Sequence, residues 1–460
     1  MNESIFKAYD IRGLYPEQID EDAAWKIGFA AARFLRSHLR GYDRGDISAQ
    51  SIIVGRDMRS HSPALAQALI DGMTAADTPV IDIGMVDTPQ IYFAINHLSA
   101  CGGIQVTASH NPAQYNGCKI SGQLARPIGE QTGLADIKHI ALAMSDRKTT
   151  STKNTKPITK DLTEAYKRHV LAFLTHNPKK LKIVIDASNG MAGKWVPILF
   201  DSVNLDIIPL NYEHDGTFIH DPNPLVEKNL VQLKQKVKET AADLGICFDG
   251  DADRLILVDE AARTVSCDLL TALMAVYFLR KNPSSTVVYD LRSSWVVKEE
   301  IIAAGGKPKR DRVGHAFIKK TMKNNQAVFG GELSGHFYYK DNFYTDSGVI
   351  TFVHLINILS EQDKPLSALI KPLRRYHASG ELNFEVEDKE AMIDQLAQKF
   401  SDAHLDHLDG ITIEYDHWWF NCRPSNTEPL LRLNLEAKTK KLLKEKLAEL
   451  KSLLGKPVPH

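Results

Sequence analysis

The chain contains three sets of short apolar runs, and this repetition constrains its fold more than any other feature. Each set has three runs of strand length, with amphipathic stretches between them. The runs are Ile52–Val54, Val80–Ile83 and Ile104–Val106; Ile183–Asp186, Asp206–Pro209 and Leu244–Phe248; and Thr286–Asp290, Lys307–Arg310 and Ala327–Phe329. This alternation predicts strands joined by crossover helices, and therefore one α/β unit used three times. We expect no residue-level repeat among the sets.

The segments around these sets are predicted from their local patterns. SHSPALAQALIDGM should form a helix, with Ser60 or Ser62 as its N-cap and Pro63 in its first turn. The polar stretches 145–160 and 361–365 are typical of linkers. A different, α+β pattern follows residue 373: strands 381–386, 411–415, 418–421 and 430–435, a helix at 389–400, a turn at 423–429 and a closing helix. The predicted domains are residues 1–150, 151–256, 257–368 and 369–460.

The composition indicates a globular protein of several domains, since single cores rarely exceed about 300 residues and the chain has 460. Its formal net charge of -1 favours neither nucleic acid nor an anionic membrane as partner. Five cysteines without a CxxC pair argue against a disulfide framework or a zinc site. No signal-peptide pattern is visible, and the longest apolar run, Leu269–Leu279, is too short for a bilayer. We expect a cytoplasmic protein that binds neither nucleic acid nor membrane.

A polar loop follows the third strand of each set. The loops are TASHNP (Thr107–Pro112), DGDADR (Asp249–Arg254) and GGELSGH (Gly330–His336). Ligands of open α/β sheets gather beyond the carboxyl ends of the strands, so the three loops could line one cleft. TASHNP is either an ordinary polar turn or a loop with Ser109 as nucleophile or phosphate carrier, helped by His110 and Lys119. GGELSGH is either a glycine-rich hairpin or a loop that binds sugar hydroxyls.

Three alternate aspartates in DGDADR point to a bound cation, since carboxylates this close repel one another. An EF-hand calcium loop also fits the spacing, with Glu260 at its twelfth position. Its sixth position requires glycine but is Arg254, and a buried-looking strand follows from Leu255 to Val258. A solvated acidic turn is less favoured because strands flank the motif. A magnesium site that leaves positions for phosphate oxygens is the better interpretation.

Two further motifs carry phosphate-binding residue types. RPSNTEP, from Arg423 to Pro429, is a polar turn or a phosphate clamp, because it offers Arg423, Ser425, Asn426 and Thr427 as donors. KAYDIRG contributes Lys7, Tyr9 and Arg12, which could equally lie on a surface strand. Taken together, the serine, tri-aspartate, sugar-loop and phosphate-clamp motifs favour phosphoryl transfer on a phosphorylated polyol over their separate structural interpretations.

With these motifs in this order, the whole chain resembles the α-D-phosphohexomutase family. YDLRSSW (Tyr289–Trp295) and WFNCRPSNTEP (Trp419–Pro429) look most like the bacterial phosphomannomutases of that family. The resemblance implies an α/β fold of three similar domains, with mixed sheets sandwiched by helices, and a C-terminal α+β domain like the TATA-binding protein. It also implies an enzyme, an isomerase that interconverts mannose 6-phosphate and mannose 1-phosphate through a hexose 1,6-bisphosphate. Phosphoglucomutase, dual specificity and, more distantly, a sugar-phosphate phosphatase are the alternatives.

The resemblance also implies a role for each motif residue. Ser109 would be the phosphoserine and, with Asp249, Asp251 and Asp253, would hold Mg²⁺. The residues around the transferring phosphoryl group would be Tyr9, Arg12, His110, Lys119 and Arg254, with Lys119 as general acid/base. The remaining substrate contacts would be Arg292, His315, Glu332, Ser334, His336, Arg423, Ser425, Asn426 and Thr427. Arg292 departs from a common lysine, so its contact geometry is open. Hexose phosphates would be the partners, and we expect a monomer, with a dimer as the alternative.

Overall fold

The structure is a computed structural model that describes residues 1–39, 50–144, 156–175, 178–425 and 430–458. Their packing divides the chain into two compact units. Unit 1 contains Met1–Val265 and Ser334–Ser367, and unit 2 contains Ser266–Leu333 and Ala368–His460. Within the described ranges, no helix has both the length and the apolar character that crossing a membrane requires.

The strands are numbered in chain order. They are β1 Ile11–Leu14, β2 Ile52–Arg56, β3 Val80–Met85, β4 Gly102–Val106, β5 Tyr115–Gly122, β6 Ile158–Thr159, β7 Leu181–Asp186, β8 Leu205–Leu210, β9 Leu244–Phe248, β10 Leu255–Asp259, β11 Thr264–Val265, β12 Thr286–Asp290, β13 Lys307–Asp311, β14 Phe329–Gly331, β15 Phe337–Tyr339, β16 Thr345–Asp346, β17 His377–Glu385, β18 His404–Asp406, β19 Ile411–Glu414, β20 Trp418–Pro424 and β21 Leu430–Ala437.

The α-helices of the described residues are numbered in the same way. They are α1 Glu21–Ser37, α2 Ser62–Ala75, α3 Thr88–His97, α4 Leu134–Leu142, α5 Thr163–Leu171, α6 Met191–Phe200, α7 Val231–Thr240, α8 Cys267–Lys281, α9 Trp295–Ala303, α10 His315–Asn324, α11 Gly348–Glu361, α12 Leu366–Ile370, α13 Lys389–Lys399 and α14 Lys440–Leu454. The apolar run Leu269–Leu279 lies inside α8.

The three sets of strands share one topology, which confirms the predicted fold class. In unit 1, β2 lies between β3 and β4, and β7 lies between β8 and β9, with parallel pairing throughout. In unit 2, β12 lies in the same way between β13 and β14. Antiparallel neighbours make the sheets mixed, since β5 pairs with β4 and β10 pairs with β9.

A buried aspartate ends the first strand of each set or follows it directly. The carboxylates of Asp57, Asp186 and Asp290 each accept a hydrogen bond from the backbone N–H two residues on, at 3.0, 2.9 and 2.8 Å. The next helices begin at Ser62, Met191 and Trp295. The expectation that the sets share no residue-level repeat is therefore wrong at this position. The aspartate recurs because its side chain satisfies a backbone donor in the turn that leads to the helix.

Two glycines let α1 and α2 approach closely in the core of unit 1. A Cβ atom on Gly28 would lie 2.1 Å from the carbonyl oxygen of Leu69, and one on Gly72 would lie 2.0 Å from that of Trp25. Any larger side chain would push the helices apart. The contact therefore fixes the position of α2, whose N-terminus follows the loop that carries Arg59.

The last sheet of unit 2 is antiparallel, in the order β17-β21-β20-β19-β18. Its buried face includes Phe384, Phe420 and Leu433, which pack with Leu396 of α13 and Leu450 of α14. This is the α+β architecture predicted for the C-terminal region, and it places Arg423 at the end of a central strand.

Some local predictions are wrong at the level of single residues. Helix α2 starts at Ser62 itself, with His61 as N-cap, and Ser62 Oγ instead donates to Asp57 at 2.5 Å. Gly330 and Gly331 belong to β14, so the third loop begins at Glu332. In the predicted linker at 145–160, residues 158–159 form β6 and pair with β3, and residues 145–155 lie outside the described residues.

Candidate active site

Ser109 lies in a tight loop directly after β4. Its backbone φ of +50° is in the left-handed region, which costs a non-glycine residue about 1–2 kcal/mol. Its N–H donates to Thr107 Oγ1 at 2.9 Å, which helps to hold this conformation. The side chain is fully buried, and its Oγ donates to Asp249 Oδ2 at 2.8 Å. The loop therefore places the serine hydroxyl directly against the acidic motif.

Arg59, a residue that no sequence motif identified, stabilises the serine loop through hydrogen bonds to its backbone. Its buried guanidinium forms an ion pair with Asp57 at 3.2 Å. It also donates to a set of backbone carbonyls, those of Ser109 at 3.0 Å, Asn111 at 2.6 Å, Pro112 at 2.7 Å and Tyr115 at 3.0 Å. Each of these carbonyls would otherwise be costly to bury. Arg59 therefore fixes the backbone on both sides of His110.

The three aspartates of DGDADR form one buried cluster. Asp249, Asp251 and Asp253 each offer a carboxylate oxygen within 4.8 Å of the others. Thr88 Oγ1 donates to Asp251 Oδ2 at 2.5 Å, while Asp251 Oδ1 accepts no hydrogen bond from the described residues. A buried acceptor without a donor is costly, and a hard divalent cation would satisfy it. A set of ligands made only of carboxylate oxygens fits Mg²⁺.

Lys119, on β5, brings a positive charge to the aspartate cluster. Its Nζ donates to Asp251 Oδ2 at 2.7 Å and to Asp253 Oδ2 at 2.5 Å. Burial alone would lower the pKa of Lys119, but the nearby aspartates raise it above its ordinary value. Lys119 is therefore a protonated ammonium in this arrangement and neutralises part of the charge of the aspartate cluster.

Two of the aspartates differ in how readily they take a proton. Burial and the charges of Asp253 and Asp251 raise the pKa of Asp249 well above its usual range. Burial would also raise the pKa of Asp253, but Lys119, His336 and Arg254 together outweigh it and lower that pKa well below the usual range. Asp249, the partner of Ser109, is thus the carboxylate placed to share a proton, whereas Asp253 stays ionised.

Arg254 and His336 meet beside this cluster, within unit 1. Arg254 Nε lies 3.1 Å from His336 Nε2, and Ser334 Oγ lies 2.9 Å from His336 Nδ1. His336 Nε2 is also 3.5 Å from Asp253 Oδ1 and 3.9 Å from Asp346 Oδ2. Asp346 was not predicted, because nothing around it in the sequence resembles a site motif. One residue of the predicted sugar loop, His336, therefore lies next to a predicted metal ligand, and Ser334 contacts that histidine.

His110 and Arg12 complete the polar surroundings of Ser109. His110 Nδ1 lies 3.2 Å from Ser109 Oγ. Burial and the positive charges of Arg254 and Arg12 lower the pKa of His110 well below its usual value, so the imidazole is neutral. Arg12, on β1, donates to the side chains of Asp10 and Asn111. Tyr9 is half-buried just before β1.

Three predicted site residues of unit 2 lie at the ends of elements. They are Arg292 after β12, His315 at the start of α10 and Glu332 after β14. Arg292 pairs with Asp290 at 2.8 Å beyond the end of β12. Glu332, directly after β14, is buried and accepts from the backbone N–H of Gly314 at 2.8 Å. His315 is the first residue of α10. Burial opposes the charge of Arg292, but Asp290 and Glu381 raise its pKa above the ordinary value.

The predicted phosphate clamp is described only in part. Arg423, at the end of β20, donates to Glu381 Oε2 at 2.5 Å. The backbone N–H of Ser425 donates to Leu430 at 2.8 Å, while Asn426 and Thr427 lie outside the described residues. Glu381 was missed because it lies far from the motif in sequence. Its place in a strand pattern gave no sign of a polar role.

Comparison with known proteins gives matches over nearly the whole chain. Four segments match the phosphoglucomutase/phosphomannomutase family: alpha/beta/alpha domain I at 3–148, domain II at 163–262, domain III at 266–376 and the C-terminal domain at 381–452. The chain is 38% identical over 455 residues to the "Phosphohexose mutases" of Xanthomonas campestris pv. campestris, covering 98% of each. It is 38% identical over 443 residues to the phosphomannomutase of Escherichia coli (strain K12), covering 94% of each.

A solved structure extends this similarity to the fold. The chain is similar to a phosphoglucomutase/phosphomannomutase family protein from Burkholderia thailandensis, with a TM-score of 0.87 and 31% identity. The superposition covers 99% of this chain and 97% of that one.

Proposed function

Because the chain belongs to the phosphoglucomutase/phosphomannomutase family of phosphohexomutases, we propose that it interconverts mannose 6-phosphate and mannose 1-phosphate. The proposed route runs through a phosphorylated Ser109 and a hexose 1,6-bisphosphate. The contact between Ser109 Oγ and Asp249, inside a cluster of three buried aspartates, carries the proposal. Burying three carboxylates beside a serine that served only the fold would cost stability, so the cluster favours a functional role for this serine.

The metal in this proposal is Mg²⁺. Asp249, Asp251 and Asp253 would hold it together with a phosphoserine oxygen at position 109. When bound, the ion neutralises charge on the phosphoryl group that is transferred.

The chain's own residues then orient the phosphoryl group and manage its proton. Asp249 accepts the hydrogen bond of Ser109 and so orients the hydroxyl that takes a phosphoryl group. Lys119 is the proposed general acid/base, and the neutral imidazole of His110 lies beside the serine hydroxyl. Arg254, which lies 3.1 Å from His336, supplies a further positive charge at the same place. Positioning the groups and stabilising charge in this way are a protein's main contributions to phosphoryl transfer.

Substrate recognition uses the remaining loops. Glu332, Ser334 and His336 bind sugar hydroxyls, with Arg292, His315 and Tyr9 as further contacts. Arg423 and Ser425, with Asn426 and Thr427, clamp the phosphate that does not react. Phosphoserine 109 transfers its phosphoryl group to the free O1 or O6 of the hexose. The bisphosphate then turns around, and Ser109 takes back the other phosphoryl group.

The sugar specificity separates this proposal from its nearest alternatives. Glucose and mannose phosphates differ only at C2, so phosphoglucomutase or a dual activity uses the same machinery. We expect kcat/KM for mannose 1-phosphate to exceed that for glucose 1-phosphate, with Mg²⁺ and a trace of hexose 1,6-bisphosphate present, whereas equal values would indicate a dual activity. A clear preference for the glucose compound would replace phosphomannomutase by phosphoglucomutase. Steady release of inorganic phosphate from either sugar would indicate a phosphatase instead.

A further inference from the structure

Three arginines of unit 2 surround a single glutamate, Glu381 of β17. Arg423 Nη2 lies 2.5 Å from Glu381 Oε2, and Arg292 Nη1 lies 3.6 Å from the same oxygen. Arg432 Nη1 lies 3.6 Å from the other oxygen, Oε1. Arg292 has Asp290 as a partner of its own at 2.8 Å. Glu381 is therefore the carboxylate that all three guanidinium groups share.

The strand pairing explains why an anion is needed at this point. Arg423 of β20 and Arg432 of β21 are directly opposite each other in the antiparallel ladder. Like charges in this position repel and destabilise the pair of strands. Glu381 lies on β17, the other neighbour of β21, and its carboxylate reaches both arginines. A negative charge between them turns the repulsion into attraction.

Arg423 retains binding capacity beyond Glu381. Its side chain is only 3% exposed, and its Nε finds no hydrogen-bond acceptor among the described residues. A guanidinium has five N–H donors arranged to bind a carboxylate or a phosphate through two parallel bonds. A carboxylate that occupies part of this fork marks the place where a phosphate can bind.

We propose that Glu381 is the internal counter-ion of the phosphate clamp and competes with the substrate's distal phosphate for Arg423. This inference rests on the proposed function and adds a residue that sets the affinity of its phosphate subsite. In the absence of phosphate, Glu381 keeps the three arginines together. When phosphate is bound to Arg423, the negative charge of Glu381 repels it and weakens the binding. This repulsion favours release of the bisphosphate when it has to turn around.

The test compares Glu381→Gln with the intact enzyme. The measured quantities are the inhibition constant of inorganic phosphate and the KM for mannose 1-phosphate. Removing one negative charge beside the phosphate should lower both by about three- to tenfold, the effect of one charge in a partly buried site. Glu445→Gln, at an exposed position of α14, is the matched control and should change neither.

The opposite result would overturn the inference. If Glu381 only supports the arginines structurally, Glu381→Gln should raise the inhibition constant or leave it unchanged. Glu381→Asp retains the charge but withdraws it from Arg423, so it should lower the constant by a smaller factor and serves if the glutamine variant does not fold.

Arg423→Ala separates this inference from the proposed clamp. If that variant binds phosphate as tightly as the intact enzyme, Arg423 does not bind the phosphate. The counter-ion role of Glu381 is then wrong as well. If Arg423→Ala weakens binding while Glu381→Gln fails to strengthen it, the clamp stands and only the counter-ion role is wrong.

Discussion

At the scale of single residues, the position of Ser109 depends on an arginine fifty residues away in the sequence. Arg59 neutralises Asp57 and donates to the backbone of the serine loop. Ser109 has a positive φ, which the loop alone would not favour. We infer that the hydrogen bonds from Arg59 offset this strain and hold the hydroxyl against Asp249.

The first prediction concerns Arg59→Lys. Lysine keeps the charge but cannot reach several carbonyls at once, so buried acceptors lose their donor. We expect a loss of about 2–4 kcal/mol in the free energy of unfolding and at least about a tenfold loss of mutase kcat. Denaturant unfolding and a coupled mutase assay measure the two effects. Arg33→Lys on the exposed face of α1 is the control, and an unchanged kcat in Arg59→Lys would contradict the role given to Arg59.

The sequence predicted the chemistry-bearing residues where they occur in short motifs. Ser109, Asp249, Asp251, Asp253 and Lys119 do lie together in unit 1, although their catalytic roles stay predictions. Residues that act on a site from another strand, such as Arg59 and Glu381, leave no comparable pattern. Their partners are backbone carbonyls or distant side chains, which only the fold brings near.

At the scale of elements, Glu436 of β21 links the last sheet to helix α9. Its Oε1 accepts from the backbone N–H of Trp295 at 3.0 Å and from Trp419 Nε1 at 2.9 Å. The first of these donors is at the start of α9, where a helix has no internal acceptor for its N–H groups. Burial raises the pKa of Glu436 to about 7, against the effect of these hydrogen bonds.

The second prediction is a pH dependence that follows from Glu436. Because the pKa is higher in the folded than in the unfolded chain, the folded state binds more protons. The stability that the raised pKa of Glu436 contributes is complete below pH 4.5 and is lost as the pH rises to about 7. The loss should be on the order of 3 kcal/mol, and Glu436→Gln should remove it. Thermal unfolding across this pH range is the measurement, with the exposed Glu445→Gln as control. An equally steep decline in Glu436→Gln would exclude Glu436 as its source.

The sequence also predicted most elements, because strands and helices follow from the spacing of apolar residues. It failed where a polar contact decides the boundary. Ser62 bonds to Asp57 instead of capping α2, and residues 158–159 pair with β3 instead of forming part of a linker. Such contacts depend on neighbours in space, which apolar spacing does not encode.

At the scale of the whole molecule, family membership rests on the complete set of motifs in their order. Each motif taken singly has a structural interpretation; the match of all four domains shows the family, and the roles of the motif residues stay predictions. Glucose and mannose phosphates differ only at C2, which takes no part in the transfer of the phosphoryl group. Transfer of a phosphoryl group through Ser109 would therefore proceed in the same way with either sugar.

The most direct test is to mass-map the protein after incubation with hexose 1,6-bisphosphate and Mg²⁺, before and after addition of mannose 6-phosphate. We expect one phosphoryl group, located on Ser109. It should leave the protein as mannose 6-phosphate becomes the 1,6-bisphosphate, and Ser109→Ala should acquire none. Phosphate on another residue, or loss of the group from Ser109 to water without bisphosphate formation, would contradict the account.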